Sequence, residues 1–111
     1  MSGNRQLPLL RVSVERSGDG AVLRLDGELD CATAPDVQSA LDGLLMGPDR
    51  PARILVDAER LAFIDVSGLA PLIRAGQRMP GTGTFQLRNP GRQLVRVIRL
   101  LDLAELFGLD R

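Results

Sequence analysis

A short apolar run near the middle of the chain, Ile54-Leu55-Val56, constrains the fold more than any other feature. Its residues do not alternate with polar ones, which is typical of a central strand in a sheet. The segments before and after it carry apolar residues at helical spacing. Crossover connections through such helices are right-handed and leave the strands parallel. The run therefore predicts an α/β fold with a central strand near residues 52–57.

Three further strands are predicted around the central one. Apolar residues alternate over 10–14 and again over 21–27, on either side of the turn residues 17–20, which predicts an antiparallel hairpin. Phe85 and Leu87 mark a fourth strand. We expect a single domain with a mixed sheet of four to five strands and with helices packed mainly on one face.

Three helices are predicted from capping residues and apolar spacing. Thr33 is a favoured cap for the first helix, with Asp36 three residues on in a capping-box arrangement. Ser67 is the expected cap of the second helix, and Asn89 that of the third, with Pro90 at its first position. A short terminal helix is also expected. The positions predicted to face the core are Val37, Ala40, Leu41, Leu44 and Leu45; Leu69, Leu72, Ile73 and Gly76; Leu94, Val97, Ile98 and Leu101; and Leu103, Leu106 and Phe107.

Three loops should converge where the parallel strands end, at residues 27–33, 58–67 and 88–91. Functional sites in α/β sheets favour that edge. The sequence therefore predicts that Asp30, Asp65, Ser67 and Asn89 are spatial neighbours. A serine at a helix start also presents its hydroxyl at the positive end of the helix dipole, where it can accept a phosphate.

Three motifs in this order resemble the STAS domain family, which includes the anti-sigma factor antagonists. Gly27-Glu28-Leu29-Asp30 followed by Thr33-Ala34-Pro35 is similar to the first signature of the family. The segment from Phe63 to Leu69, with its Asp-x-Ser-Gly core, is similar to the second. Asn89-Pro90 through Val97, with Leu101-Asp102-Leu103 and Leu106-Phe107, is similar to the closing helix pattern. The resemblance implies a STAS domain over residues 9–111. Residues 1–8 lack a long apolar run and are expected to form a flexible lead.

The resemblance implies a switch at Ser67. In the family, a cognate anti-sigma factor with serine kinase activity phosphorylates the matching serine with ATP, and a serine phosphatase restores it. The unphosphorylated antagonist binds the anti-sigma factor and frees a sigma factor for transcription. The partner-binding residues implied here are Glu28, Asp30, Thr33, Asp65, Ser67, Gly68 and Asn89. The alternative is a constitutive STAS subunit that docks on the ATPase of a lipid or ABC-type transport system.

Composition excludes several other classes of function. The chain has 14 Lys+Arg and 14 Asp+Glu, and this balance argues against direct nucleic-acid binding. With no histidine and no lysine, it cannot form a Ser-His-Asp triad, a histidine metal site or a lysine-containing phosphate loop. We therefore expect no catalytic residue, metal or cofactor. No apolar stretch approaches the roughly 18 residues of a membrane span, and the single cysteine, Cys31, fits a reducing cytoplasm. A monomer or weak dimer is expected.

Simpler interpretations of the same residues remain open. Ser67 could be only a helix cap, and Asp65 could bond loop amides in an Asx-turn. Glu28 and Asp30 could be solvated turn residues. The arginines at 92, 96 and 99 lie along one predicted helix face, which is either solvated or a patch for an anionic partner.

Overall fold

The predicted hairpin opens the fold, with β1 (Leu10–Ser17) antiparallel to β2 (Gly20–Leu29). A computed structural model describes residues 9–109, so the predicted lead at 1–8 lies outside the described residues. The elements that follow are α1 (Ala34–Leu45), β3 (Arg53–Ile64), α2 (Val66–Arg78), β4 (Thr84–Arg88) and α3 (Arg92–Leu100). The strand order is β1-β2-β3-β4, and β3 is parallel to both β2 and β4. The described residues thus confirm the mixed α/β sheet, with four strands.

One face of the sheet is covered by the helices. Along β2, Leu23 and Leu25 are buried, whereas Arg24 and Asp26 are exposed. The helices supply buried residues at predicted positions: Val37, Leu41, Leu44, Leu45, Leu69, Leu72, Leu94 and Ile98. Leu101, which was predicted to be buried, is 43% exposed because α3 ends before it.

Strand β3 is much longer than the predicted segment 52–57. It continues to Ile64, paired with Leu29 at the end of β2. The register between β2 and β3 shifts twice, between Arg24 and Asp26 and between Gly27 and Glu28. Each irregularity leaves an extra residue on β3 and breaks the two-residue period, so the second half of the strand shows no clear alternation. The predicted loop at 58–67 is therefore mostly strand.

The C-terminal segment closes the outer edge of β4 without the predicted terminal helix. Helix α3 ends in a Schellman-type arrangement: Leu103 N–H donates to the Ile98 carbonyl at 2.9 Å, and Asp102 has a positive φ of 59°. The following residues form turns. Phe107 is fully buried, and its carbonyl accepts from Leu87 N–H at 3.1 Å. This bond satisfies a backbone donor on the outer edge of β4. No helix within residues 9–109 has the length and apolar character needed to span a membrane.

Asp57 carries the charge pairing on the uncovered face of the sheet. Its side chain is 12% exposed, and its carboxylate accepts from Arg88 at 3.2 Å and lies 3.9 Å from Arg24 Nε. Burial raises the pKa of Asp57, but bonds from the Glu59 amide, Arg88 and Asn89 outweigh burial and leave the pKa below its ordinary value. The charged form is therefore favoured by folding.

Asp57→Asn should lower the free energy of unfolding at neutral pH by about 1.5 kcal/mol, because a charged acceptor is lost at nearly constant shape. A folded-state pKa that is depressed contributes stability above the ordinary value of 3.8, and that stability is lost as the pH falls further. The gap between wild type and variant should thus close on acidification below that value in urea titrations. Asp19→Asn is the control, because its pair with Arg53 at 2.7 Å is 63% exposed on both sides. Equal effects of the two substitutions would contradict this assignment.

Candidate functional site

The loop after β2 is closed by hydrogen bonds among its own polar groups. Asp30 Oδ1 accepts from the backbone N–H groups of Ala32 at 2.9 Å and Thr33 at 3.2 Å. The Thr33 hydroxyl donates to the Glu28 carbonyl at 2.8 Å and accepts from Asp30 N–H at 3.0 Å. Thr33 does stand at the N-cap of α1, but its side chain makes no cap bond, so the predicted capping box with Asp36 is wrong. The hydroxyl is already used to hold the loop.

Thr33→Val should lower the free energy of unfolding by about 1–3 kcal/mol. Thr33 is 8% exposed. Removal of its hydroxyl leaves the Glu28 carbonyl and the Asp30 N–H without the hydrogen bonds that the hydroxyl makes to them. Thr33→Ser is the matched control, since it keeps the hydroxyl. Urea unfolding of the two variants measures the difference, and equal stabilities would show that the hydroxyl has no structural role.

Asp65, not Ser67, caps α2. Its carboxylate accepts from Gly68 N–H at 2.9 Å, and its backbone carbonyl accepts from Leu69 N–H at 3.1 Å. Asp and Ser are about equally favoured at an N-cap. Here the Asp65 carboxylate bonds the amide of Gly68, the third residue of the helix. Ser67 becomes the second residue of the helix and is exposed. The predicted cap is wrong. Asp65 bonds a helix amide as the cap, and not loop amides in the Asx-turn that was left open as an alternative.

Gly68 allows α2 to begin directly against the end of β2. A methyl group at this position would lie 2.6 Å from the Leu29 carbonyl carbon and 2.7 Å from Leu29 Cγ, closer than carbon atoms can approach. The same Leu29 carbonyl accepts from Asp65 N–H at 3.2 Å. The glycine in the Asp-x-Ser-Gly core therefore fixes the first turn of α2, and with it Ser67, beside the loop after β2.

Ser67 opens onto a shallow depression between α1 and α2. The depression measures about 340 Å³. It is lined by Cys31, Ala34, Pro35, Gln38, Ser67, Pro71 and Arg74. Arg74 donates to Gln38 Oε1 from Nη2 at 2.7 Å and from Nε at 3.2 Å, which joins the two helices. The predicted site thus extends along α1 and α2, to residues that the motifs did not single out.

The Arg74–Gln38 link continues along α1 to Asp42. Gln38 Nε2 donates to Asp42 Oδ1 at 2.9 Å, and Arg78 donates to the same oxygen at 2.7 Å. The Arg78 guanidinium, followed by the Gln38 amide, holds the pKa of Asp42 below its ordinary value. The two helices are therefore tied at two successive turns on the surface that carries Ser67.

Pro71 modifies the helix beside the candidate hydroxyl. Proline has no N–H, so it cannot donate to the carbonyl four residues earlier, which is that of Ser67. Pro71 is fully buried, and its ring contributes to the floor below Ser67. The Ser67 carbonyl consequently lacks its regular helical donor.

Asn89 is not brought to Ser67. Its side chain hydrogen-bonds Asp57, which precedes Asp65 by eight residues of extended chain, a length on the order of 20 Å. Asn89 also has a positive φ of 55° and does not cap α3, whose N-cap is Gly91. The predicted grouping of the three loops fails here because β3 runs well past the end of β4.

Two exposed apolar side chains precede Ser67 in the chain. Phe63 is 43% exposed at the end of β3, and Val66 is 61% exposed at the first position of α2. Exposed apolar side chains of this size are available for contact with a partner protein. Phe63 was recognised only as part of a motif, since its exposure depends on the register shift in β3. Within residues 9–109, no three His, Cys, Asp or Glu side chains come together as a metal ion would require.

The sequence model of a family described as "Mlab, STAS domain" matches residues 12–109. The chain belongs to the STAS domain family. No curated protein matches this STAS domain in sequence.

Solved anti-sigma factor antagonists share the fold of this STAS domain. One from Mycobacterium paratuberculosis is 25% identical, with a TM-score of 0.81 over 90% of this chain and 84% of that one. SpoIIAA in its unphosphorylated form is 22% identical, with a TM-score of 0.74 over 91% and 89% of the two chains. The Bacillus cell fate determinant SpoIIAA in the phosphorylated form is 21% identical, with a TM-score of 0.72 over 91% and 92%.

Proposed function

We propose that this STAS domain is an anti-sigma factor antagonist whose docking is controlled by phosphorylation of Ser67. The unmodified chain binds a cognate anti-sigma factor, and that factor's serine kinase activity releases it. The single observation that carries the proposal is the exposed Ser67 on the first turn of α2, next to the exposed Val66 and at the rim of a shallow depression. The family membership and the fold shared with anti-sigma factor antagonists support it.

The proposed chemistry requires only a hydroxyl from this chain. Ser67 Oγ attacks the γ-phosphorus of ATP held by the partner, the hydroxyl proton passes to a base of the partner, and ADP leaves. A phosphatase then hydrolyses the phosphoserine with water and releases inorganic phosphate. The chain is accordingly a substrate and a binding module, not a catalyst.

The position of Ser67 explains how a phosphate would change binding without unfolding the domain. The helix cap is the Asp65 carboxylate, which modification of Ser67 leaves in place. A phosphate adds a charge of about −1.5 to −2 next to the exposed Val66. An unpaired charge forced into an interface costs about 2–5 kcal/mol. We therefore expect loss of docking with the fold retained.

The partner surface is proposed to comprise Glu28, Asp30 and Thr33 on the β2 loop and Asp65, Ser67 and Gly68 on α2. Thr33 and Gly68 act through the backbone that they fix, while Glu28 and Ser67 are exposed for direct contact. Asn89, which faces Asp57, is left out of this surface.

Phosphoryl transfer to Ser67 is the test of this proposal. The purified chain is incubated with its cognate anti-sigma factor and ATP, and the intact mass is measured. We expect one phosphoryl group on wild type and on Ser39→Ala, which removes another exposed serine, from α1. Ser67→Ala should gain none. A wild-type chain that stays unmodified, or a Ser67→Ala variant that is still phosphorylated, would overturn the proposal.

A further inference from the structure

Arg74 stands two helical turns after Ser67 and lines the same depression. Residues seven apart on an α-helix lie on nearly the same face, about 10.5 Å apart along the axis. Long helical side chains lean towards the N-terminus, which for Arg74 is the direction of Ser67. Pro71, the lining residue between them, is a fully buried ring and leaves the space above it open.

The present hydrogen-bond partner of Arg74 is neutral, although the nearby Asp42 carboxylate also attracts its charge. Its guanidinium donates twice to the Gln38 side-chain oxygen, at 2.7 and 3.2 Å. In a hydrogen bond between a guanidinium and a phosphate both groups are charged, and such bonds are short, strong and often bidentate. A phosphate within reach of Arg74 would therefore compete well with the Gln38 amide.

We propose that Arg74 is the receptor for the phosphate on Ser67, and that it exchanges Gln38 for the phosphate when the serine is modified. This inference rests on the proposed function of Ser67. The exchange removes one of the two links between α1 and α2 and leaves the Arg78–Asp42 link in place. Gln38 is released at the rim of the depression. Phosphorylation then changes the shape of the docking surface as well as its charge.

The test uses phosphoserine placed at position 67 during synthesis of the full chain, so no kinase is needed. The second ionisation of the phosphate, ordinarily near pH 6, is followed by ³¹P NMR. An opposite charge nearby lowers such a pKa by about 1–3 units, and the smaller figure applies at an exposed site. We expect the midpoint to be about 1 unit higher in Arg74→Gln than in the wild-type background.

Arg78→Gln is the matched control, because Arg78 lies one turn further along α2 and is held by Asp42. Its midpoint should equal that of wild type. Asp65 on the first turn, Cys31 across the depression and Asp42 on α1 are present in every variant, so their own influence on the phosphate cancels. A second readout is the Gln38 side-chain amide signal, which should shift on phosphorylation in wild type and not in Arg74→Gln.

The role of Arg74 would be overturned by equal midpoints in wild type and Arg74→Gln. It would also be overturned if the Gln38 amide signal of the wild type did not shift on phosphorylation. Failure of a kinase to modify Ser67 would instead contradict the proposed function and leave these NMR measurements unaffected. The two outcomes are therefore separable.

Discussion

Gly68→Ala is expected to lower the free energy of unfolding by about 3 kcal/mol or more, although it adds one methyl group. Overpacking a core usually costs about 1–3 kcal/mol, and here the obstructing atoms include the Leu29 backbone, which cannot rotate away. The first turn of α2 would have to move from the end of β2. In a domain of this size, the melting temperature should fall by about 12 °C or more.

Gly43→Ala is the matched control for this substitution. Gly43 is an exposed residue of α1, and an added methyl group would meet nothing within 4 Å. Alanine favours a helix over glycine by about 0.5–1 kcal/mol, so this variant should be slightly more stable than wild type. Thermal unfolding of both variants separates the intrinsic helix preference from the contact with Leu29. A Gly68→Ala protein as stable as wild type would show that the close approach is not required.

Phosphorylation of Ser67 should weaken binding of the anti-sigma factor by tens to thousands of fold. This range corresponds to the 2–5 kcal/mol penalty for an unpaired charge in an interface. Ser67→Ala should bind persistently in the presence of ATP, because it cannot accept the phosphate. Ser67→Asp carries one negative charge, less than a phosphate, and should give a smaller defect of the same sign. Calorimetry with the purified partner measures all three.

The control for this series is Ser39→Asp, which adds the same charge to an exposed position of α1. It should bind as wild type does. If Ser67→Asp and Ser39→Asp both bind like wild type, a negative charge at Ser67 does not control binding. Binding that is independent of Ser67 would favour the alternative function, a constitutive subunit on a transport ATPase.

The sheet could be predicted because its signals are local. The hairpin followed from alternation around the turn at 17–20, and β4 from Phe85 and Leu87. The full length of β3 could not be predicted, since the two register shifts against β2 erase the two-residue period. The same shifts determine that Phe63 is exposed, so its exposure could not be predicted from the sequence pattern either.

The sequence pointed to the Asp-x-Ser-Gly core of the candidate site but not to the residues around it. The Asp-x-Ser-Gly core contains two good capping residues, and only the path of the backbone decides that Asp65 takes the cap and leaves Ser67 free. Asn89 was misplaced because the sequence does not show how far β3 extends beyond β4. Gln38 and Arg74 join the site through the packing of α1 on α2, for which no short motif exists.

The most direct test is the affinity of the purified chain for the anti-sigma factor, measured on one sample in three states: unmodified, phosphorylated at Ser67, and then treated with phosphatase. Circular dichroism of each state reports whether the fold is retained. We expect tight binding, then loss of binding in a folded protein, then recovery, as a phosphorylation switch at Ser67 requires. Equal affinity in all three states would contradict it.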